Sequence, residues 1–521
     1  MLTRWATAPV RWKFNLVILP LMASRSRLGL FTCFALGLTA LTLAAQTAAP
    51  GAPSAEQAAF GQSLALRTDR VIADSTHPAM GWLAQTNPVP YSASNALRLR
   101  LALFPAAGAA DQKMARDLGQ FLVFGGNLAD NPFPFSAKLQ GLPDGDYRYV
   151  AEVWDGNTSL AKLEKNIQLV AGLEEKQADI ERRLAKISGH DSAKASIEYP
   201  FDLARVINLG KRVYGSGTGN PEFGLNEAGA PILYDFAAGL KQSEKLLAAL
   251  EAGQDPVWRA GGDTVRHYYM PEADEILPYH VYVPSTWDGK SPLPLVFILH
   301  GNSRNQDFYF DRDEHIIPKT AEQHGYMLVA PMGYSPNGGY NYVPYGRAGG
   351  PRGVAGAMAA PQQFGSASAG NGFGGVNGSV TPQLVRSEWS EQDAMHVYDL
   401  IKQEYPIDPK RTFLFGYSAG GQGSHYIGPK YAENWAAIAI GGSNAQPAAG
   451  YPFAKLKNTP MMIFYGGADT PNINPSHAMA QALQENGIDV VLKEYPGASH
   501  DGAPSAATAD IFNFFDAHPR K

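Results

Sequence analysis

The sequence predicts an α/β fold in the C-terminal half of the chain, with a mostly parallel sheet that carries helices on both faces. A small β-sandwich-like module and a helical connecting region are expected before it. Two observations predict this order. Short apolar runs without alternation recur at residues 295–299, 412–415 and 461–465, as in strands buried on both faces. Leucine and arginine instead alternate strictly at residues 97–101, which is typical of a strand with one solvated face.

The strongest signal for chemistry lies at residues 416–420, where the predicted strand 412–415 breaks at Gly-Tyr-Ser-Ala-Gly. A serine on a sharp strand-to-helix turn needs nearly side-chain-free residues two positions before and after it, and these are Gly416 and Gly420. Such a turn exposes the Oγ atom of Ser418 beside a helix N-terminus, which stabilises negative charge. The pentapeptide alone is equally compatible with an ordinary glycine-rich loop, so its partners decide the interpretation.

Two partners follow in the chain. Asp469 comes directly after the buried run 461–465, and His500 lies in a glycine-containing loop after a predicted strand at residues 489–495. A serine hydroxyl is a weak nucleophile unless an imidazole takes its proton, and a carboxylate holds that imidazole in the required tautomer. The order serine, aspartate, histidine is the chain order of α/β-hydrolases. We therefore expect Ser418, Asp469 and His500 to form a catalytic triad.

A fourth element lies upstream of the serine, where the predicted strand 295–299 runs into His300, Gly301 and Asn302. In an α/β-hydrolase this loop supplies one donor of the oxyanion hole, and the main-chain N–H of the residue after the nucleophile supplies the other. The expected oxyanion hole therefore consists of Ala419 together with Gly301 and Asn302.

Three stretches resemble secreted esterases of the polyhydroxybutyrate depolymerase and feruloyl esterase group: residues 295–301, 387–421 and 431–443. More distantly, they resemble the catalytic domain of prolyl-oligopeptidase-type peptidases. The resemblance covers residues 259–521 and nothing before them. It implies the α/β-hydrolase fold, cofactor-free ester hydrolysis, the triad named above, and His300 at the start of the oxyanion loop. A glycine-rich insertion before the serine departs from the pattern and leaves the substrate class open.

The N-terminus has the pattern of a signal peptide, because an apolar run at residues 28–45 follows Arg25 and Arg27 and ends in small residues. We expect residues 1–46 to be removed, with Met22 as an alternative start, which predicts a secreted or periplasmic protein without stable membrane association. Cys33, the only cysteine, would leave with them. The same residues include five basic side chains and no acidic one, so their removal takes the formal net charge from −5 to about −10. This negative charge disfavours nucleic acid as a partner.

The rest of the chain divides by composition into a linker at residues 47–56, a β-rich and immunoglobulin-like module at 57–170, a helical connecting region at 171–258 and the catalytic domain at 259–521. Within the connecting region, helices are expected at residues 173–187, 201–211 and 236–252. Tyr147, Tyr149 and Trp154 could form a platform for a polymer, although core packing is the favoured interpretation.

Residues 331–386 form a glycine-rich insertion without periodicity, too long for a plain connection. Because it follows the C-terminal end of a strand, we expect a lid over the active site; a solvated loop is the alternative. Candidate substrate contacts are His300, Tyr417, Tyr340 and Tyr342.

Other ionisable residues are expected to be structural. Asp393 is predicted at a helix start, where a carboxylate favours the helix dipole, and His425 is expected to pack on the nucleophile's own helix. Residues 311–315 hold a cluster of acids that is more typical of a solvated loop than of a metal site. We expect no metal and no cofactor.

The sequence thus predicts a secreted serine hydrolase that cleaves carboxylic esters, small or polymeric, through an acyl-enzyme. The first alternative is a peptidase of prolyl-oligopeptidase type with the same triad. The second is a polymer-binding protein whose hydrolase domain is vestigial. The acyl and alcohol groups of the substrate and the oligomeric state remain open.

Overall fold

The computed structural model describes residues 52–93, 96–106, 113–123, 127–212, 223–226, 228–229, 232–342 and 387–521. The expected signal peptide and residues 343–386 of the expected insertion lie outside the described residues. Within these ranges, no helix combines the length and the apolar character that crossing a membrane requires.

The N-terminal module is β-rich. Its described elements are α1 (Ala55–Ser63), β1 (Leu64–Thr68), β2 (Ile72–Asp74), β3 (Ala79–Gln85), β4 (Leu97–Pro105), β5 (Arg116–Val123), β6 (Phe133–Ala137), β7 (Gly145–Asp155) and β8 (Thr158–Val170). Among the described residues they form two sheets, one in the order β1-β3-β6 and one in the order β2-β8-β7-β4-β5. The alternation in β4 has the expected result, since Leu99 and Leu101 are buried in a core shared by both sheets while Arg98 and Arg100 are exposed.

The aromatic residues of β7 belong to this core. Tyr147 and Tyr149 are buried, and the ring of Tyr149 packs edge-on against Phe135 of the other sheet. Trp154 is half-buried. The platform interpretation therefore does not hold for the two tyrosines, because their rings point between the sheets.

The connecting region contains α2 (Leu173–Leu184), α3 (Asp191–Asn208) and α4 (Phe236–Glu251). The structure corrects the expected start of α3, which lies ten residues before residue 201. Pro200 suggested a boundary, since proline removes an N–H donor and clashes with the preceding turn. Here it stands inside the helix, and extensive burial of α3 outweighs that cost.

The C-terminal domain alternates strands and helices. Its described elements are β9 (Gly262–Met270), β10 (Glu275–Val283), β11 (Leu293–Leu299), α5 (Phe308–Asp311), α6 (Ile316–His324), β12 (Met327–Pro331), α7 (Ser387–Glu404), β13 (Ile407–Tyr417), α8 (Ala419–Lys430), β14 (Ala437–Gly441), β15 (Met461–Gly466), α9 (Thr470–Glu485), β16 (Val490–Tyr495) and α10 (Ala503–Ala517).

Over the described residues, these strands form one sheet in the order β9-β10-β12-β11-β13-β14-β15-β16. β10 is antiparallel to both neighbours, and the strands from β12 to β16 are parallel. One apolar cluster covers the face that carries α7, α8 and α9, and another covers the face that carries α6 and α10. This is the expected α/β-hydrolase domain, preceded by a β-rich module.

The connecting region and the C-terminal domain share packing. Helix α3 packs against β9 and β10, and Ile276 of β10 belongs to the same apolar cluster as the helices of the connecting region. Arg212 and Glu275 form an ion pair across the predicted domain boundary, with 2.7 Å between the two side chains, both almost fully buried. The sequence pattern changes at residue 259, but the hydrophobic packing continues across this position.

The described start of the expected insertion is packed against the domain. Met332, Tyr334 and Tyr340 are buried, and the amide N–H of Tyr340 donates to the Ser390 Oγ atom of α7 at 2.9 Å. Residues 332–342 are therefore packed into the domain and do not belong to a lid, which corrects the expected start of the lid at residue 331.

Candidate active site

The turn between β13 and α8 carries Ser418 at φ 58° and ψ −120°, a conformation that is strained for a residue with a side chain. The flanking glycines make it possible. A Cβ atom at Gly416 would lie 2.1 Å from the Ser424 Oγ atom, and one at Gly420 would lie 2.0 Å from the carbonyl oxygen of Leu299. No side chain fits at either position, so the glycine spacing has the steric cause that the motif predicts.

Strand register brings the ends of β11, β13, β14 and β15 together at one edge of the sheet. Leu299 pairs with Gly416, and Tyr417 pairs with Gly441. The amide N–H of Ser418 donates to the carbonyl oxygen of Gly441 at 3.0 Å. The predicted site residues follow these strand ends, where α/β sheets place functional groups.

Ser418, His500 and Asp469 form a continuous hydrogen-bonded chain. The Oγ atom of Ser418 lies 2.9 Å from His500 Nε2, and His500 Nδ1 lies 2.6 Å from Asp469 Oδ2. The Asp469 side chain is 5% exposed and that of His500 is 38% exposed. The buried carboxylate can hold the Nδ1–H tautomer, which leaves Nε2 free to accept the proton of Ser418.

Asn472, which the sequence did not single out, completes this chain. Its Nδ2 atom donates to both carboxylate oxygens of Asp469, at 3.0 and 2.9 Å, and lies 3.3 Å from His500 Nδ1. Asp469 precedes α9, and its side chain makes no capping bond to that helix. The only signal in the sequence is that Asn472 follows Asp469 by three residues at a helix start. This spacing is also found where a residue simply caps the helix, so it does not predict a role beside the triad.

The loop after β11 lies against the nucleophile. A Cβ atom at Gly301 would be 3.3 Å from the Ser418 Cβ atom and 3.8 Å from its Oγ atom, so glycine keeps this side of the serine open. Ala419 is the first residue of α8, and its N–H therefore has no acceptor within the helix. Across the described part of the chain, the N–H groups of Gly301 and Asn302 have no hydrogen-bond acceptor. All three predicted donors are available to a negatively charged oxygen.

His300 and Tyr340 support this loop from inside the domain. The two ring nitrogens of His300 lie 2.9 Å from the Gly301 oxygen and 2.8 Å from the Met332 oxygen, and burial lowers the pKa of the imidazole although both carbonyls oppose this. The amide N–H of His300 donates to the Tyr340 hydroxyl at 3.1 Å. Both side chains are at most 2% exposed. They do not meet the expectation of a substrate contact, because their surfaces are already packed.

The other two candidate substrate contacts differ from each other. The Tyr417 ring is buried 5.1 Å from the His500 ring, and burial raises the pKa of its phenol well above the ordinary value. Its hydroxyl has no hydrogen-bond partner among the described residues. Tyr342 is half-buried and packs against the core at the last described position before residue 343. Tyr417 thus packs beside the triad histidine and has little exposed surface left for contact with a substrate.

Two further ionisable residues are structural. Asp393 lies in the second turn of α7, which corrects its expected place at a helix start. It accepts hydrogen bonds from the Tyr268 hydroxyl at 2.6 Å and the Tyr334 N–H at 2.7 Å. Burial, partly offset by these bonds, raises its pKa to about 6. His425 is buried 3.1 Å from the Tyr451 hydroxyl, and burial lowers its pKa to about 3.

The acidic cluster at residues 311–315 does not form a metal site in the described structure, which contains no group of three or more histidine, cysteine, aspartate or glutamate side chains arranged to hold an ion. Arg312 instead pairs with Asp313 at 2.7 Å and donates to the main-chain oxygen of Asp501 at 2.6 Å. These contacts tie the cluster to the loop that carries His500.

The sheet order, the strained serine turn and the hydrogen-bonded chain behind it define an α/β-hydrolase domain with the geometry of a serine hydrolase. Residues 311–508, which include Ser418, Asp469 and His500, match the sequence profile of the dienelactone hydrolase family. None of the curated protein sequences compared with the chain matches it.

Several solved structures are similar to the chain at low identity. An S-formylglutathione hydrolase from Agrobacterium tumefaciens is 15% identical, covers 50% of this chain and 97% of its own, and has a TM-score of 0.37. A ferulic acid esterase from Anaeromyces mucronatus, in complex with ferulic acid, is 17% identical with 49% and 90% coverage and a TM-score of 0.35. A thermostable esterase is 13% identical with 88% and 100% coverage and a TM-score of 0.36.

Proposed function

We propose that this protein hydrolyses carboxylic esters through an acyl-enzyme formed on Ser418. The observation that supports this most is the hydrogen-bonded chain from Ser418 Oγ through His500 to Asp469, with distances of 2.9 and 2.6 Å. The nucleophile and its base are already within proton-transfer distance, and the base is oriented by a buried carboxylate.

In the proposed first half-reaction, His500 Nε2 takes the proton of Ser418 as Oγ attacks the ester carbonyl carbon. The tetrahedral intermediate then expels the alkoxide, which receives that proton from His500 and leaves as an alcohol. In the second half-reaction, water attacks the acyl-enzyme and gives a proton to His500. The acid leaves, and the proton returns to Ser418 Oγ.

The negative charge of both intermediates falls on the former carbonyl oxygen. The N–H groups of Ala419, Gly301 and Asn302 are our candidates for its donors, since each lacks a competing acceptor among the described residues. Removing one such donor typically costs about 3–4 kcal/mol of transition-state stabilisation. Asp469 stabilises the imidazolium that His500 becomes in each step, and the two hydrogen bonds from Asn472 hold its carboxylate in place.

For the substrate, we propose an ester with an alcohol or phenol leaving group, as in the polyhydroxybutyrate depolymerase and feruloyl esterase group that the sequence resembles. The resemblance and the match to a hydrolase family profile support an ester over an amide.

We further propose export with removal of residues 1–46, on the basis of the N-terminal pattern. Intact-mass measurement of exported protein tests this, and a mature species that keeps Cys33 contradicts it.

The deciding experiment compares p-nitrophenyl esters of increasing acyl length with a chromogenic dipeptide, using the parent enzyme and Ser418→Ala. We expect ester turnover, little amide turnover, and a loss of about 10⁴-fold or more in the variant with unchanged melting. Preferred cleavage of the dipeptide would indicate a peptidase. Absence of both activities in folded parent protein, tested across the full panel, would favour a vestigial hydrolase.

A further inference from the structure

A segment from the connecting region reaches the loop that follows β11. The N–H of Leu225 donates to the carbonyl oxygen of Ser303 at 2.8 Å. The segment, residues 223–226, lies between α3 and α4 and therefore precedes the predicted catalytic domain. Two further main-chain bonds hold the segment, since its Gly224 oxygen accepts from the Ile232 N–H at 3.0 Å and its Asn226 oxygen accepts from the Gly229 N–H at 3.0 Å.

The segment and the loop approach each other closely. Gly224 has φ +85°, and a Cβ atom there would lie 3.2 Å from the Arg304 carbonyl carbon and 3.3 Å from the Asn305 nitrogen. Such contacts are tighter than ordinary van der Waals packing, so a side chain would push the loop by a few tenths of an ångström. Both the backbone angle and the neighbouring chain thus favour glycine at this position.

The part of the loop that receives this contact is strained. Ser303 has φ +60°, and it follows the proposed oxyanion donor Asn302 directly. Its N–H donates to the Pro336 oxygen at 2.9 Å and to Asn337 Oδ1 at 3.1 Å. A non-glycine residue keeps such a conformation only where its surroundings hold it. The bond that its carbonyl accepts from Leu225 and the bonds that its N–H donates to residues 336–337 hold Ser303 from two sides.

Arg304 joins the same segment to the loop of the catalytic histidine. Its Nη1 atom donates to the carbonyl oxygens of Leu225 at 3.3 Å and Asn226 at 2.8 Å. Its Nη2 atom lies 3.6 Å from a carboxylate oxygen of Asp501, the residue after His500. The guanidinium also stacks over the Phe308 ring at 4.3 Å, and the side chain is only 16% exposed.

We propose that residues 223–226 and Arg304 are positioning elements of the active site, through which the connecting region fixes the oxyanion loop and the His500 loop relative to Ser418. This inference rests on the proposed ester hydrolysis for its effect on turnover. Neither element touches the reacting atoms; both act on groups that do. Because a displacement of about 1 Å can cost on the order of 100-fold in rate, a shift of a few tenths of an ångström should be measurable.

Two glycines provide a matched test. Gly224→Ala and Gly229→Ala introduce the same methyl group at similar backbone angles, φ +85° and +76°, but a Cβ atom at Gly229 meets no atom of the described residues within 4 Å. In the full chain, we expect Gly224→Ala to lower kcat on p-nitrophenyl butyrate by about 10-fold with KM within about 2-fold. Gly229→Ala should stay within about 2-fold of the parent in both constants.

Hydrogen exchange supplies a readout that does not depend on activity. Amides of residues 300–306 should exchange faster in Gly224→Ala than in Gly229→Ala, because only the first loosens the contact with the loop. Equal exchange in the two variants overturns the proposal. Faster exchange with unchanged kcat overturns the role in turnover. An inactive parent enzyme would refute the proposed function, while the exchange comparison would still decide whether the segment positions the loop.

A second pair of variants covers the case in which Gly224→Ala does not fold. Arg304→Met keeps much of the stacking on Phe308 but removes the bonds to Leu225 and Asn226, and Arg304→Lys restores the charge. We expect Arg304→Met to lower kcat about 10-fold and Arg304→Lys to recover part of it. Arg183→Met on α2, which also loses several ion pairs, is the control and should change melting only. Equal kcat for Arg304→Met and Arg183→Met overturns the proposal.

Discussion

Replacing Asn472 with alanine tests whether the triad depends on a residue that the motif does not contain. The Nδ2 atom of Asn472 donates to both oxygens of Asp469, and that carboxylate is almost completely buried. In the described structure, Asn472 is the only side chain that donates to Asp469 Oδ1. Asn472→Ala would therefore leave this oxygen without that donor while the bond from His500 to Oδ2 remains.

The expected magnitude follows from that loss. Leaving a buried acceptor unsatisfied costs about 1–3 kcal/mol, and more where the group is charged. Part of this cost should appear as lower stability, with a fall of about 2–4 °C in the melting temperature per kcal/mol for a domain of this size. Part should appear in kcat, because a carboxylate that turns toward solvent no longer orients His500. We expect kcat to fall about 10- to 100-fold.

The assay measures kcat, KM and melting temperature for Asn472→Ala, with Asn208→Ala as the control. The Asn208 side chain makes three hydrogen bonds, to the main chain of Val71 and Ile72, but it lies at the end of α3 and far from the triad in the chain. The control should lose stability and keep kcat. A value of kcat within about 2-fold of the parent in Asn472→Ala, at a temperature where it is folded, would refute the positioning role of this residue.

Three further predictions concern pH and the insertion. Burial opposes charge on His280, but hydrogen bonds to Asp263 and Asp307 raise its pKa from 6.5 to about 9. The stability that this shift contributes should therefore be full below pH 6.5 and lost as the pH rises through 9. His280→Gln should remove this loss in melting scans. Asp393 has a pKa raised from 3.8 to about 6, so its contribution should be lost as the pH rises from 3.8 through 6, and Asp393→Asn should flatten that range while ester turnover stays within a few-fold. Replacing residues 349–380 by a short Gly/Ser bridge should spare small soluble esters and change turnover of bulky ones several-fold; loss of both would place part of the active site there, and loss of neither would make the insertion passive.

Sequence was most informative where local sterics and chemistry coincide. A Cβ atom at Gly416 or Gly420 would lie about 2 Å from neighbouring atoms, so only glycine fits there. The spacing of these two glycines therefore predicts the serine turn. Asp469 and His500 follow apolar strands, and parallel strands bring their C-terminal ends to one edge. The fold class could be predicted for the same reason, since strands buried on both faces leave continuous apolar runs. β14 is harder to predict, since its short run of alanine and isoleucine does not by itself distinguish a buried strand from a helix.

Sequence was least informative where a side chain acts through contacts distant along the chain. His300 begins the oxyanion loop and Tyr340 lies in the expected insertion, and only the structure shows that their side chains are packed inside the domain. Pro200 is a strong local signal against a helix, yet tertiary burial of α3 outweighs it. Asn472 and Arg304 belong to no motif, because their partners are fixed by the fold and not by spacing.

The predicted boundary at residue 259 shows the same difference between pattern and physics. Glu275 of β10 is buried, and its partner Arg212 comes from the connecting region, so separating the two would leave an uncompensated charge in the core. Breaking a buried ion pair in this way costs about 3–5 kcal/mol, which is a large part of the stability of a typical domain. Removing the connecting region would also free the carbonyl of Ser303 beside the oxyanion loop. The connecting region is therefore a structural part of the hydrolase, although no catalytic motif lies within it.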